Sequence, residues 1–290
     1  VTNALEVIEL EKRYRGFHLC VSFAVEEGRT LALLGSNGSG KTTILHALLN
    51  IVRRDAGEIR CFGLQLEQHE VRIKKEVGVF LEDPRHFEEL RVSQLLNFYR
   101  SFYPRWDESY ARALLAEMEI DPAKKFKTLS KGTKAKVALI VAFAPRPRLL
   151  ILDEPTAGVD PKMRKLLVEK VREARARFAP AVLLTSHIMR DIEDLADDIA
   201  FLENGRIKRQ HTRAEMEWWR VIEGTCAERL ACMGENVRLQ RNGQGQRFKL
   251  LTDARSGVLQ QLQLDGAHVT ASYQPDLEEV YDWVLDTPER

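Results

Sequence analysis

The chain of 290 residues is poor in the features that usually fix a class early. It has only four cysteines, Cys20, Cys61, Cys226 and Cys232. None forms a C-x-x-C pair and no histidine cluster accompanies them, which excludes a zinc module and a disulfide framework. Isolated small thiols in a reducing compartment remain. Long apolar runs are missing too. The longest is Val137–Ala144, whereas a membrane-spanning helix needs ~20 apolar residues. Charges are scattered through Val1–Gly16 and no apolar h-region follows, so no secretory signal is expected there. If such a chain works at a membrane, a partner must carry it there. Charge imbalance is absent as well: 44 Lys and Arg face 43 Asp and Glu, for a net charge of +1. That gives no global reason to expect a polyanion ligand. There is no internal repeat and no low-complexity segment.

What is present suits a globular chain with a real core, since 44% of the residues are hydrophobic and 30% charged. Length allows one large domain or two small ones. Glu6–Glu11 and Leu19–Val25 alternate like half-buried strands. Thr30–Leu34, Leu149–Leu152 and Ala181–Thr185 are short apolar runs, each leading into loop residues, and a helix is expected from Lys41 to about Asn50. Strands alternating with helices imply a mainly parallel α/β sheet. Between about Pro84 and Thr128 the strand signal stops. Val92–Tyr103 and Glu108–Glu119 carry apolar residues at helical spacing, which predicts a helical insertion.

The α/β pattern ends by about residue 215. Beyond it, Val237–Gln240 and Phe248–Thr252 flank Asn242–Gly245 as a β-hairpin. Ala254–Leu264 is expected as a helix, Ala267–Tyr273 as a strand and Asp276–Leu285 as an amphipathic helix. This is a small α+β appendage, with Trp218, Trp219 and Trp283 expected in its core.

Chemistry concentrates in the first part. Gly35-Ser36-Asn37-Gly38-Ser39-Gly40-Lys41-Thr42-Thr43 matches G-x-x-x-x-G-K-[ST], after an apolar strand and before a helix. Glycines let backbone N–H groups curl round phosphate oxygens, and the helix N-terminus adds partial positive charge. Lys41 suits the outer phosphates, Thr42 a Mg²⁺ ion and Thr43 an inner phosphate oxygen. Leu149–Leu152 then delivers two adjacent carboxylates, Asp153 and Glu154. Asp153 suits Mg²⁺ through its water shell, and Glu154 suits the role of general base toward water. His187 follows the strand Ala181–Thr185, where a neutral imidazole can bond a terminal phosphate and orient the water. The other six histidines are expected to be structural.

These residues resemble the nucleotide-binding subunit of an ATP-binding cassette (ABC) transporter over about residues 4–210. Leu129-Ser130-Lys131-Gly132-Thr133 stands at the place of the family signature, and Ala157-Gly158-Val159-Asp160 looks like its D-loop. Tyr14 sits where the family keeps an aromatic that stacks on adenine, and His187 matches its switch histidine. The resemblance implies a P-loop NTPase cassette over 1–215. It would combine a RecA-like mainly parallel sheet, an antiparallel β portion and a helical subdomain inserted at about 84–130. Residues 216–290 would form an accessory α+β domain. It implies ATP and Mg²⁺ as cofactors and a Mg-dependent ATPase.

Ser130 is a natural N-cap, and its hydroxyl with the Gly132 N–H can accept a phosphate. In the family that phosphate belongs to ATP on a second subunit, so a dimer, more simply a homodimer, is implied. Two departures stand out. Lys131 replaces a glycine and resembles the branch that pairs with separate export-type membrane subunits. Glu82 replaces a glutamine that reaches Mg²⁺ in the family, and it is expected still to sense the metal. The segment Lys124–Lys136 has six lysines and no acid, which fits a solvated basic face or, through Lys131, a neutraliser of phosphate across the dimer.

The expected function is ATP-driven export through a separate polytopic transmembrane subunit, at the cytoplasmic face of the membrane. The alternative is a soluble ABC-type ATPase acting on ribosomes or nucleic acid. The basic helix Lys162–Arg177 lacks interleaved aromatics, so direct nucleic-acid binding is not expected.

Overall fold

Alternating burial in the first thirty residues produces a hairpin. β1 (Asn3–Tyr14) and β2 (Phe17–Glu26) pair antiparallel, with Tyr14 opposite Phe17 beside the turn. β3 (Thr30–Leu34) is buried along its whole length and leads through the glycine loop into α1 (Lys41–Leu48). β4 (Ala56–Cys61) and β5 (Leu64–Gln65) return to the hairpin and complete an antiparallel sheet of order β2-β1-β4-β5. A bulge in β1 puts Glu9 at φ +46°, and Gly57 of β4 closes on it. A Cβ on Gly57 would lie 2.1 Å from the Glu9 carbonyl oxygen, so only glycine fits.

α2 (Leu66–Lys74) and β6 (Val77–Phe80) follow. Then comes the helical stretch α3 (Val92–Arg100), α4 (Glu108–Glu117) and α5 (Lys131–Phe143). Asp107 caps α4 by accepting from the Tyr110 N–H at 3.0 Å. Arg146 binds the same carboxylate, and Lys170 binds Glu117 at the far end of α4. The helices stop at Arg100 and Glu117, a few residues short of the sequence expectation.

β7 (Leu149–Asp153), α6 (Pro161–Phe178), β8 (Ala181–Ser186), α7 (Met189–Leu195), β9 (Asp198–Glu203) and β10 (Arg206–Thr212) finish the α/β pattern. The second sheet has the order β10-β9-β3-β8-β7-β6. Its β9-β3-β8-β7-β6 neighbours are all parallel. β3, β7 and β8 are continuous apolar runs because both faces of a parallel sheet are covered. This is the α/β cassette architecture expected from the sequence, with its antiparallel portion and its helices.

The computed structural model describes residues 2–81, 88–226, 237–242, 245–264 and 266–285. The chain divides into two compact units, Val1–Ile207 and Lys208–Arg290. In the second unit α8 (Arg213–Met216) and β11 (Trp219–Cys226) precede the hairpin of β12 (Val237–Asn242) and β13 (Gly245–Asp253). α9 (Val258–Leu264), β14 (His268–Tyr273) and α10 (Leu277–Leu285) complete it. The sheet order is β12-β13-β11-β14. Strand alternation gives it two small cores. Ile222, Phe248 and Leu250 meet Leu262 of α9, while Val221 and Leu251 meet Trp283 of α10.

Two expectations are corrected here. The helix expected over Ala254–Leu264 is a 3₁₀ turn, Ala254–Ser256, followed by α9, because Gly257 sits at φ +71° between them. Trp218 is not in the core. It is 48% exposed, with the Arg255 guanidinium 5.4 Å from its ring centroid, whereas Trp283 is buried and Trp219 partly so.

Candidate active site

Parallel register brings the chemistry together. Leu34 of β3 lies opposite Ser186 of β8, and Asp153 of β7 lies opposite Thr185. The loops that follow these three strands therefore open on one edge of the sheet. Crevices at the carboxyl ends of parallel strands are the usual place for ligands in such sheets.

The glycine loop is shaped for an anion. Gly38 and Gly40 take φ +83° and +117°, which L side chains resist. No side chain caps α1 and its first turn has no acid, so its N–H groups stay available for negative charge. The Ser39 hydroxyl is buried with no partner among the described residues. Lys41 is only 7% exposed. Its ammonium donates to the carbonyls of Gly35 at 2.6 Å and Ser36 at 3.2 Å, and stands 3.5 Å from Glu154 Oε1. An orphaned buried hydroxyl, an uncapped helix and a buried ammonium are together the features a phosphate chain fits.

Asn37, Gly38, Gly40, Lys41, Thr42 and Thr43 form one wall of a cleft of about 620 Å³. Tyr14, Phe17, Asp153, Glu154 and His187 form the rest. Gly35, Ser36 and Ser39 belong to the same loop without lining the cleft. Tyr14 is exposed, with the Lys12 ammonium 5.7 Å from its ring centroid. Phe17 was not singled out by the sequence. Its place directly after the β1–β2 turn is the signal that would have found it.

Glu154 turns out of β7 at φ +45°, a left-handed conformation that costs energy for a glutamate and marks a functional turn. Its N–H donates to the Thr185 carbonyl at 3.0 Å and faces the Thr185 hydroxyl at 3.3 Å. That hydroxyl donates to Asp153 Oδ1 at 2.6 Å. One threonine thus braces both carboxylates, and the sequence did not single it out. His187 Nδ1 lies 2.8 Å from Glu154 Oε2, which also accepts from the His187 N–H at 3.3 Å. The tautomer follows from chemistry. A neutral imidazole that donates from Nδ1 to Glu154 presents a lone pair at Nε2 and cannot donate to a phosphate. Its Nε2 lone pair can accept from a water, which suits the water-orienting role expected of a neutral His187. The Thr42 hydroxyl and Asp153 carboxylate are hard oxygen donors on one cleft, which suits Mg²⁺.

The signature residues are elsewhere. Ser130 caps α5, accepting from the Thr133 N–H at 3.2 Å. Ser130 and Lys131 are exposed, Gly132 is half-buried, and none of the three lines the cleft. The Lys131 ammonium rests on Gly158, where a Cβ would lie 2.5 Å from it. Asp160 caps α6 by accepting from the N–H groups of Lys162 and Met163, both at 3.0 Å. The basic run finds its acids outside itself: Lys125 and Lys127 pair with Glu89, and Lys134 with Glu88. Glu82 lies outside the described residues.

The ABC transporter family profile matches residues 20–157. The chain is 34% identical over 205 residues to the ABC transporter ATP-binding protein YtrB of Bacillus subtilis, covering 70% of each. It belongs to the ATP-binding subunits of ABC transporters. Such subunits are ATPases, and the family uses ATP with Mg²⁺. Another relative is the Nod factor export ATP-binding protein I of Burkholderia orbicola, 35% identical over 206 residues, 68% of this chain and 67% of that one. Among solved structures, an ATP-binding subunit of an ABC transporter superposes with a TM-score of 0.67 at 29% identity. That match covers 74% of this ABC subunit and 92% of the other chain. Among the described residues no helix of the subunit is long and apolar enough to cross a membrane.

Proposed function

We propose that this ABC subunit hydrolyses ATP to power export through a separate polytopic transmembrane partner, as a homodimer at the cytoplasmic face of the membrane. The observation that carries the ATPase site is the meeting of Lys41, Thr42, Asp153, Glu154 and His187 on one cleft beside Tyr14. Tyr14 stacks on adenine, and Phe17 extends that wall. The loop N–H groups and Thr43 hold the inner phosphates. Lys41 exchanges its loop carbonyls for the outer phosphates. Thr42 and Asp153 would hold Mg²⁺, which supplies charge neutralisation on the phosphate oxygens. Glu154 takes a proton from the attacking water, and His187, held against Glu154, orients that water toward the terminal phosphate. The products are ADP and inorganic phosphate.

The dimer is supported by the exposed signature. Ser130, Lys131 and Gly132 stand at a helix start away from their own cleft, so a second copy can receive them over its ATP. The membrane partner is supported by an apolar groove of about 210 Å³ lined by Ile51, Val79 and Tyr103 among others. Ile51 there is exposed, and a short apolar helix suits it. Export is supported by Lys131 and by the Nod factor export relative. Residues 1–215 serve as the ATPase domain, with about 84–130 as its inserted helical subdomain, and residues 216–290 as an accessory domain.

Glu154→Gln tests the site. It should bind ATP, dimerise by sedimentation in ATP, and turn over at least ~100-fold more slowly, the scale of a lost general base. Near-wild-type phosphate release would overturn the assignment. A pull-down of the tagged chain from gently solubilised membranes tests the partner. A stoichiometric polytopic membrane protein is expected; ribosomal or DNA-associated proteins in its place would overturn the transporter reading.

A further inference from the structure

Asp191 is a carboxylate with no exposure to water at all, 0%, in α7. Burying a carboxylate is costly unless it is paired and hydrogen-bonded. Both of its oxygens are engaged. The Thr156 hydroxyl donates to Oδ2, and Arg164 Nε donates to Oδ1 at 2.7 Å. Arg164 also reaches Asp194 at 3.0 Å.

The three partners come from three functional segments. Thr156 lies two residues after Glu154, in a turn closed by the Ala157 N–H donating to the Glu154 carbonyl at 3.0 Å. Asp191 lies four residues after His187. Arg164 lies in the first turn of α6, directly after Asp160, which caps that helix. Asp191 and Thr156 do not line the cleft. A single buried carboxylate therefore joins the strand end that carries Glu154, the loop that carries His187 and the helix that follows the D-loop. The Glu154–His187 contact of 2.8 Å is spanned by this bracket.

Packing does not require a charge here. Ile192 and Leu195 already bury the inner face of α7, and Arg164 keeps Asp194 without Asp191. We propose that Asp191 is a positioning residue for hydrolysis, holding Glu154 and His187 in mutual register through Thr156 and Arg164. This rests on the reading of Glu154 as general base. Turnover then depends on Asp191 more than ATP affinity does, because the adenine and phosphate contacts come from β1, β2 and the glycine loop. A misplacement of about 1 Å in a catalytic group is worth up to ~100-fold in rate.

The test uses basal ATPase of the purified full chain, with kcat and KM for ATP measured separately and thermal melting as a folding control. Asp191→Asn keeps the side-chain shape and removes the charge. Thr156→Val removes the hydroxyl and keeps the shape. Both are expected to lower kcat ~10- to 100-fold with KM within about twofold. Thr156→Ser should restore turnover, because it returns the hydroxyl. The double variant should be little worse than the poorer single one, since both break the same bracket. If Asp191→Asn does not fold, the Thr156 pair carries the test alone. A folded Thr156→Val with kcat within twofold of wild type overturns the inference, as does a Thr156→Ser that is no better than Thr156→Val. Glu154→Gln measured alongside separates the two levels. If it turns over normally, the active-site reading fails; if it is inactive while Thr156→Val is normal, only the role of Asp191 fails.

Discussion

Replacing Thr185 by valine removes one oxygen from a fully buried side chain and leaves its shape nearly unchanged. Two contacts go with it. The Glu154 N–H keeps its bond to the Thr185 carbonyl at 3.0 Å, so that donor is not orphaned. The 2.6 Å bond to Asp153 Oδ1 is lost outright. Hydrogen bonds to charged groups contribute about 1.5–3 kcal/mol. Asp153 is half-buried at the cleft, so water recovers part of this, and a net loss of about 1–2 kcal/mol remains.

Thr30→Val is the matched control. Thr30 is equally buried on the neighbouring β3, but its hydroxyl has no partner among the described residues. Valine there removes an unsatisfied group, so stability should hold or rise by ~1 kcal/mol. The two substitutions, identical in chemistry, should thus differ by ~1–3 kcal/mol in urea unfolding at unchanged m-value. Phosphate release should fall roughly tenfold in Thr185→Val, through the freed Asp153, and stay unchanged in Thr30→Val. Equal unfolding midpoints and equal turnover for the two would refute the bracing role of Thr185.

Two further outcomes follow from the packing. Burial pushes the Asp107 carboxyl up, but the Tyr110 N–H and then the Arg146 guanidinium outweigh it and hold it below the ordinary value. A folded pKa lower than the unfolded one gives stability that is complete above the ordinary carboxylate range and is lost as pH falls through the folded value. Asp107→Asn should therefore flatten the acid limb of the stability curve below about pH 4; an unchanged limb would mean that Asp107 carries no such linkage. Gly78→Ala in β6 would set its Cβ 2.1 Å from the Ala142 carbonyl oxygen and 2.9 Å from Pro147 Cγ. Backbone cannot yield as a side-chain tip does, so a loss near the top of the ~1–3 kcal/mol overpacking range is expected. A denaturation midpoint equal to wild type would show that α5 and β6 shift at no cost.

The phosphate loop and the two carboxylates were legible because their chemistry is contiguous in the chain. The glycines, Lys41 and Thr42 need no distant partner to announce themselves, and neither do Asp153 and Glu154. Thr185 and Asp191 were not legible. Thr185 becomes a brace only because parallel register sets it opposite Asp153, and Asp191 becomes a bracket only because α7 packs beside α6. The acidic partners of the lysine run were not legible for the same reason, since Glu88 and Glu89 precede it by some forty residues in the chain. α2 was invisible to periodicity: only Leu66 and Ile73 of its residues are buried, so it shows no apolar stripe. The appendage helix was drawn too long because Gly257 was taken as helical, while the fold uses it as a left-handed joint.

The order of the second sheet also bears on how the protein is made. The antiparallel sheet β2-β1-β4-β5 is built from neighbours in sequence and can form as soon as they are synthesised. β3 cannot. Its two neighbours are β8 and β9, which end at Ser186 and Glu203. Until the ribosome has added both, β3 is an apolar strand without partners, and the phosphate loop it carries has no fixed base. At ~5–20 residues per second that delay is on the order of ten to thirty seconds. The nascent chain thus carries its nucleotide motif long before it can bind a nucleotide, and during that interval β3 is the segment most in need of protection from aggregation.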